Sequence, residues 1–144
     1  MKIKISYFLF ILMFVVLCGY FIFLNQENMK LAFISTKFDC FNNLKIENDS
    51  FDYNGEKYMI AGVFKEINDS DSIITINIPR EYSRENKLAK KHEYCHYIQN
   101  LNNRLTHCNQ IINVYLNEFE CYRAQNFKDD IYIRKYGDYN NISN

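Results

Sequence analysis

The chain of 144 residues reads as an α+β domain behind a single membrane-spanning helix. Three observations predict this. An uninterrupted apolar run fills the N-terminus, short β-rich segments with turn residues between them follow, and two long stretches without Gly or Pro come after those. The expected organisation is an anchor at 1–25, a juxtamembrane segment at 26–48, and a domain at 49–144. That domain is expected to be a three-stranded antiparallel meander followed by two helices. The length suits one domain and not two. Seventeen basic and seventeen acidic residues cancel, which argues against a sequence-independent grip on nucleic acid, and no nucleic-acid partner is expected. Few Gly and Pro among many Tyr and Phe make a composition that can pack.

The apolar run extends from Ile5 to Leu24, "ISYFLFILMFVVLCGYFIFL", without a charge. A helix needs about 20 such residues to cross a bilayer. The apolar core of a cleaved signal peptide is only about 7–15 residues, and Asn25-Gln26-Glu27 makes a poor cleavage site. Cys18 follows Leu17, where a lipoprotein site has a small residue. Lys2 and Lys4 precede the run and Lys30 and Lys37 follow it. On the positive-inside tendency the N-terminus is expected in the cytoplasm, with residues 25–144 outside it.

Residues 26–44 carry apolar positions at mixed spacing and suit a juxtamembrane helix or stalk. In "SFDYNGEKYMIAGVF", Asn54-Gly55 between two β-rich runs signals a hairpin, because both residues tolerate positive φ. "NDSDS" at 68–72 is a second turn. The strand "IITINI" at 73–78 follows, with Ile74, Ile76 and Ile78 on one face, and Pro79 ends it. A helix is expected over 83–101 with Ser83 as its N-cap. "NLNNRLTHCN" breaks it, and a second helix is expected over 109–127, where Ile112, Tyr115, Phe119 and Tyr122 recur at helical spacing.

The first of these helices contains "HEYCH". Residues four apart lie one above the other on a helix, so His92 and His96 can turn two imidazoles to one metal ion. Glu93, rotated about 100° from His92, flanks the open side of that ion and can act as general base. A catalytic zinc site takes three protein ligands, so the motif demands a third ligand from another element. "NEFECYRA" on the second helix offers Glu118 and Glu120.

From the strand at 73 to the end of the second helix, the chain resembles the glutamate-ligand zincins. These include thermolysin-like enzymes, CAAX prenyl proteases and ImmA-type peptidases, in which a His-Glu-x-x-His helix precedes a helix carrying Glu. The resemblance implies a minimal zincin-like domain and a zinc metallopeptidase acting on peptide or protein substrates, with a zinc-activated water and Glu93 as base. "EFECYRA" is similar to the Glu-x-Glu-Ala-Asp/Asn-x-x-Ala run of the latter two families. That run makes Glu118 the third ligand and puts Tyr122 behind the ligands, where those families have Asp or Asn. Lethal-factor-like toxins also show Asn-Glu-x-Glu, and there the second glutamate binds; on that register Glu120 is the ligand.

Cys95 and Cys121 stand at positions where the related families have small residues, which suits two closely approaching helices facing each other there. With Cys40 and Cys108 the outer part has four cysteines, and three disulfide pairings are open. His107, between the helices, can stabilise an oxyanion or be merely exposed. Substrate is expected to enter along the strand at 73–78. The competing expectation is a non-catalytic, membrane-anchored zinc-binding or structural protein.

Overall fold

The computed structural model describes residues 5–40, 46–47, 50–53, 55–68, 71–105 and 108–142. Helix α1, Ile5–Cys40, is a single unbroken helix, long and apolar enough to cross a membrane. Its residues 7–24 are exposed all round. From Asn25 onward a stripe at Asn25, Ala32 and Thr36 is buried. These positions recur at seven and four residues, one face of a helix. The expected boundary at 25–26 is therefore a change of surroundings within one helix, and the juxtamembrane part is a wall of the domain.

The strands form two sheets. Strands β1 (Ile46–Glu47), β2 (Ser50–Tyr53) and β3 (Glu56–Met59) pair antiparallel in the order β1-β2-β3. Strands β4 (Gly62–Asn68) and β5 (Asp71–Ile76) form a separate antiparallel hairpin. The turn expected at Asn54-Gly55 joins β2 to β3, with Gly55 at φ 81°. The single three-stranded meander is not formed. Asn77 captures both carbonyls at the break: its backbone N–H donates to Ala61 (3.0 Å) and its Nδ2 to Ile60 (3.0 Å). Those two residues thus end the second sheet instead of joining β3 to β4 in one strand.

Helix α2 spans Ser83–Leu101, as expected, but Ser83 is its first helical residue and not its cap. Asn86 secures the start, donating from Nδ2 to the Ile78 carbonyl (2.6 Å). Just past the helix end, Asn103 has a φ of 52°, in the left-handed region that Asn tolerates. Helix α3 spans Ile111–Gln125, within the expected range. A further helix, α4 (Asp129–Tyr136), was not expected. Asp129 and Asp130 open it and Arg134 and Lys135 close it, matching the helix dipole at both ends.

Tyr132, Tyr136 and Tyr139 from the α4 region pack on Ala124 and on the Cys95–Cys121 disulfide to form the core. The bridge joins α2 to α3 with Cα atoms 5.5 Å apart. A second disulfide, Cys40–Cys108, ties the end of α1 to the approach to α3. Lys91 is buried in this core. Its Nζ donates to the Phe127 carbonyl (2.6 Å) and pairs with Asp129 (2.9 Å) under the Tyr132 ring.

Candidate metal centre

Helix α2 carries His92 and His96 one turn apart on its buried face, and α3 brings Glu118 up to them. The two Nε2 atoms stand 3.2 Å apart. Glu118 reaches His96 Nε2 at 3.0 Å with one oxygen and His92 Nε2 at 3.4 Å with the other. All three side chains are buried, and the group can hold a metal ion. Burial opposes charge on Glu118, but the two imidazoles outweigh it and hold the carboxyl far below the usual range. Burial likewise opposes charge on His96, yet the Glu118 charge and hydrogen bond raise it to about 9.

The two imidazoles are oriented differently. His96 Nδ1 lies 3.0 Å from Gln99 Oε1, which turns Nε2 toward Glu118. Gln99 is itself buried and fixed, donating from Nε2 to the Asn117 carbonyl and to Glu120 (3.2 Å each). His92 Nδ1 is buried with no hydrogen-bond partner among the described residues. Packing sets that ring instead: Tyr122 lies over it, centroids 4.3 Å apart. The Tyr122 hydroxyl is hydrogen-bonded to Ser35 of α1 (2.7 Å).

Glu120 points elsewhere. It accepts hydrogen bonds from Arg104 (2.5 Å), Tyr136 (3.0 Å) and Gln99. Burial tends to raise its carboxyl, but these bonds outweigh that and lower it. The alternative third ligand is therefore an anchor behind His96. His107 lies outside the described residues.

Glu93 is buried on the side of α2 that faces β4. It accepts a hydrogen bond from the Phe64 backbone N–H. Gly62 makes room for it: a Cβ there would stand 2.7 Å from Glu93 Cγ. Burial raises the Glu93 carboxyl, partly offset by His92 and His96. Glu93, both histidines and Glu118 line one cavity of about 450 Å³. Ile60, Gly62 and Phe64 border it on one side, and Ile34, Ser35 and Asp39 of α1 on another.

Strand β4 borders the cavity, and the expected strand at 73–78 contributes Ile78 to its lining. Ala61 bonds across to Asn77, so alternation along an antiparallel pair turns Gly62 and Phe64 to the outer edge. That edge faces the cavity. Asp39, Gln99 and Gly62 belong to the site although sequence reasoning passed over them. Asp39 keeps an exposed face on the cavity, yet surrounding protein and the Glu118 charge push its carboxyl upward. Of the three, only Gln99 left a usable signal: it stands three residues after His96 on one helix face.

No family model matches this chain, and neither the curated proteins nor the solved structures contain a significant match to it.

Proposed function

We propose that the protein is a membrane-anchored zinc metallopeptidase with a minimal zincin-like domain. The observation that carries this reading is the buried cluster of His92, His96 and Glu118 beside Glu93. Tetrahedral ligands about 2.0–2.1 Å from a zinc ion stand about 3.3 Å from one another. Here the two Nε2 atoms stand 3.2 Å apart, the two Glu118 oxygens lie 3.0 Å from His96 and 3.4 Å from His92, and two imidazoles with one carboxylate are a common catalytic zinc donor set.

His92, His96 and Glu118 would hold the ion, which supplies Lewis acidity for hydrolysing an amide. Glu93 takes a proton from the attacking water as the C–O bond forms, and passes it to the amine as the C–N bond breaks. Its carboxyl, raised by burial, suits both tasks. An extended peptide fits the outer edge of β4 by main-chain hydrogen bonds. Gln99 and Tyr122 hold the histidine rings.

The apolar part of α1 serves as a single-pass anchor, with the N-terminus in the cytoplasm and the domain outside. Two disulfides fit an oxidising compartment on that side.

The test uses full-length protein, a peptide library and the Glu93→Gln variant. The amide is nearly isosteric but is no base at neutral pH. Hydrolysis should fall by about 10²–10⁴-fold while zinc content stays the same. Cleavage by the variant at the wild-type rate would refute the mechanism. Zinc binding without cleavage by either protein would favour the non-catalytic alternative.

A further inference from the structure

One face of α1 looks into the cavity of the metal centre. Leu31, Ile34, Ser35, Phe38 and Asp39 line it, spaced three, one, three and one residues apart, which is one side of a helix. Leu31, Ile34 and Phe38 are apolar, and Ser35 is hydrogen-bonded to the Tyr122 hydroxyl. Asp39 is the ionisable group of this wall. The next residue, Cys40, is bridged to Cys108, which fixes the end of the helix and with it the place of the carboxylate.

The Asp39 carboxylate has neither a hydrogen bond nor an ion pair among the described residues. It stands apart from the ligand cluster, which His92, His96 and Glu118 form without it. It is still near enough to feel the charges of Glu118, His96 and Glu93. Those two glutamates are already matched: ligating imidazoles are neutral, so Glu118 and Glu93 balance the charge of a zinc ion. Asp39 is left as an uncompensated negative charge beside the reacting centre. No Lys or Arg is among the described residues that line the cavity. Next to Asp39 the wall is aromatic, with Phe38 stacked on Phe51 (4.8 Å) and Phe51 on Tyr58 (5.8 Å). A charge against apolar walls gains most from a partner that arrives with the opposite sign.

We infer that Asp39 binds a cationic group of the substrate, an ammonium at its N-terminus or on a side chain beside the scissile bond. The inference rests on the metallopeptidase reading and names the substrate class for that same site. A peptide laid along β4 brings its scissile carbonyl to the metal, and a cationic arm next to that carbonyl meets the α1 wall at Asp39. Charge-assisted N–H···O bonds then join the two. An acidic group at that position is repelled by Asp39 and Glu93 together. Glu85 also lines the cavity, but it stands on α2 seven residues before His92, about 10 Å along the helix. It is exposed to solvent, where salt screens its pull. Asp39 is therefore the specificity-determining carboxylate of the two.

The test measures binding to zinc-loaded full-length protein in detergent by calorimetry, so it needs no known substrate. The probes are amino-acid hydroxamates, whose hydroxamate group binds zinc and sets the rest of the molecule beside it. Leucine hydroxamate carries a free α-ammonium, Nα-acetyl-lysine hydroxamate a side-chain ammonium, and Nα-acetyl-leucine hydroxamate no charge. A cationic probe should bind about tenfold tighter than the neutral one, and Asp39→Asn should remove that advantage while Glu85→Gln keeps it. Which probe gains it tells an N-terminal from a side-chain ammonium. Equal or weaker binding of both cationic probes by the wild type would overturn the inference and leave the metal centre in place. So would an advantage that survives Asp39→Asn, or one lost equally in Glu85→Gln, which would show a diffuse field and not a contact. Failure of the protein to hold zinc, or of the zinc-loaded protein to bind any probe, would refute the metallopeptidase reading and the inference together.

Discussion

Gln99 acts on the candidate metal centre without entering it. Its Oε1 faces His96 Nδ1, and its amide is held by Asn117 and Glu120. Removing such an outer partner of a ligating imidazole typically lowers metal affinity about 10–100-fold. Gln99→Ala should do so with one metal still bound per chain at saturation, as measured by competition with a chromogenic chelator. An unchanged affinity would mean that packing alone orients His96. Gly62 supports Glu93 by its lack of a side chain. A Cβ at 2.7 Å from Glu93 Cγ must push one of the two aside, so Gly62→Ala should cost about 1–3 kcal/mol in denaturant unfolding. It should also depress any hydrolysis more than metal content.

At this scale the sequence was unevenly legible. The spacing of His92 and His96 and the position of Glu93 follow from helix geometry and could be read directly. The choice between Glu118 and Glu120 depends on how α3 is rotated, which short motifs left open. Rotation is set by Tyr136 and Arg104, which capture Glu120, and neither belongs to a motif. Asp39 reaches the cavity only through the packing of α1, so no local pattern announces it.

The elements around the site are clamped covalently as well as by packing. Cys95–Cys121 fixes α2 to α3 within a turn of the ligands, and its loop separation is 26 residues. Chain-entropy arguments put the loss of such a bridge at about 3–4 kcal/mol. A Cys95→Ala, Cys121→Ala double variant should lower the unfolding midpoint accordingly, and a thiol count on the native, unreduced wild type should find only Cys18 reactive.

Helix α4 is held to α2 by Asp129, which accepts from Lys87, Lys91 and Tyr139. Those hydrogen bonds hold its carboxyl well below the usual range. A depressed carboxyl contributes stability that is complete above its unfolded value of about 3.9 and is lost as pH falls toward the folded value. Thermal stability should therefore drop below about pH 4, and Asp129→Asn should be less stable at pH 7 with a flatter acid limb. An acid limb identical to wild type would remove Asp129 from this role. The strands show why element reading has limits. The hairpin at Asn54-Gly55 was legible from turn chemistry, whereas the split at Ile60–Ala61 depends on the distant Asn77.

Across the whole molecule, one helix serves two surroundings. The first part of α1 is exposed and apolar, and the rest forms a wall of the cavity and is bonded through Cys40 to the approach to α3. The α+β order was legible from the sequence because apolar length, turn residues and helical runs are local signals. The Tyr-rich closing segment was not, since Tyr132, Tyr136 and Tyr139 acquire their role only against the disulfide. The most direct test of the account is zinc per chain in the purified full-length protein and its single-site variants, by elemental analysis. The account predicts about one zinc in the wild type and in Glu120→Ala, and loss of tight binding in His92→Ala, His96→Ala and Glu118→Ala. Equal zinc content in wild type and all three ligand variants, or loss in Glu120→Ala with retention in Glu118→Ala, would contradict it.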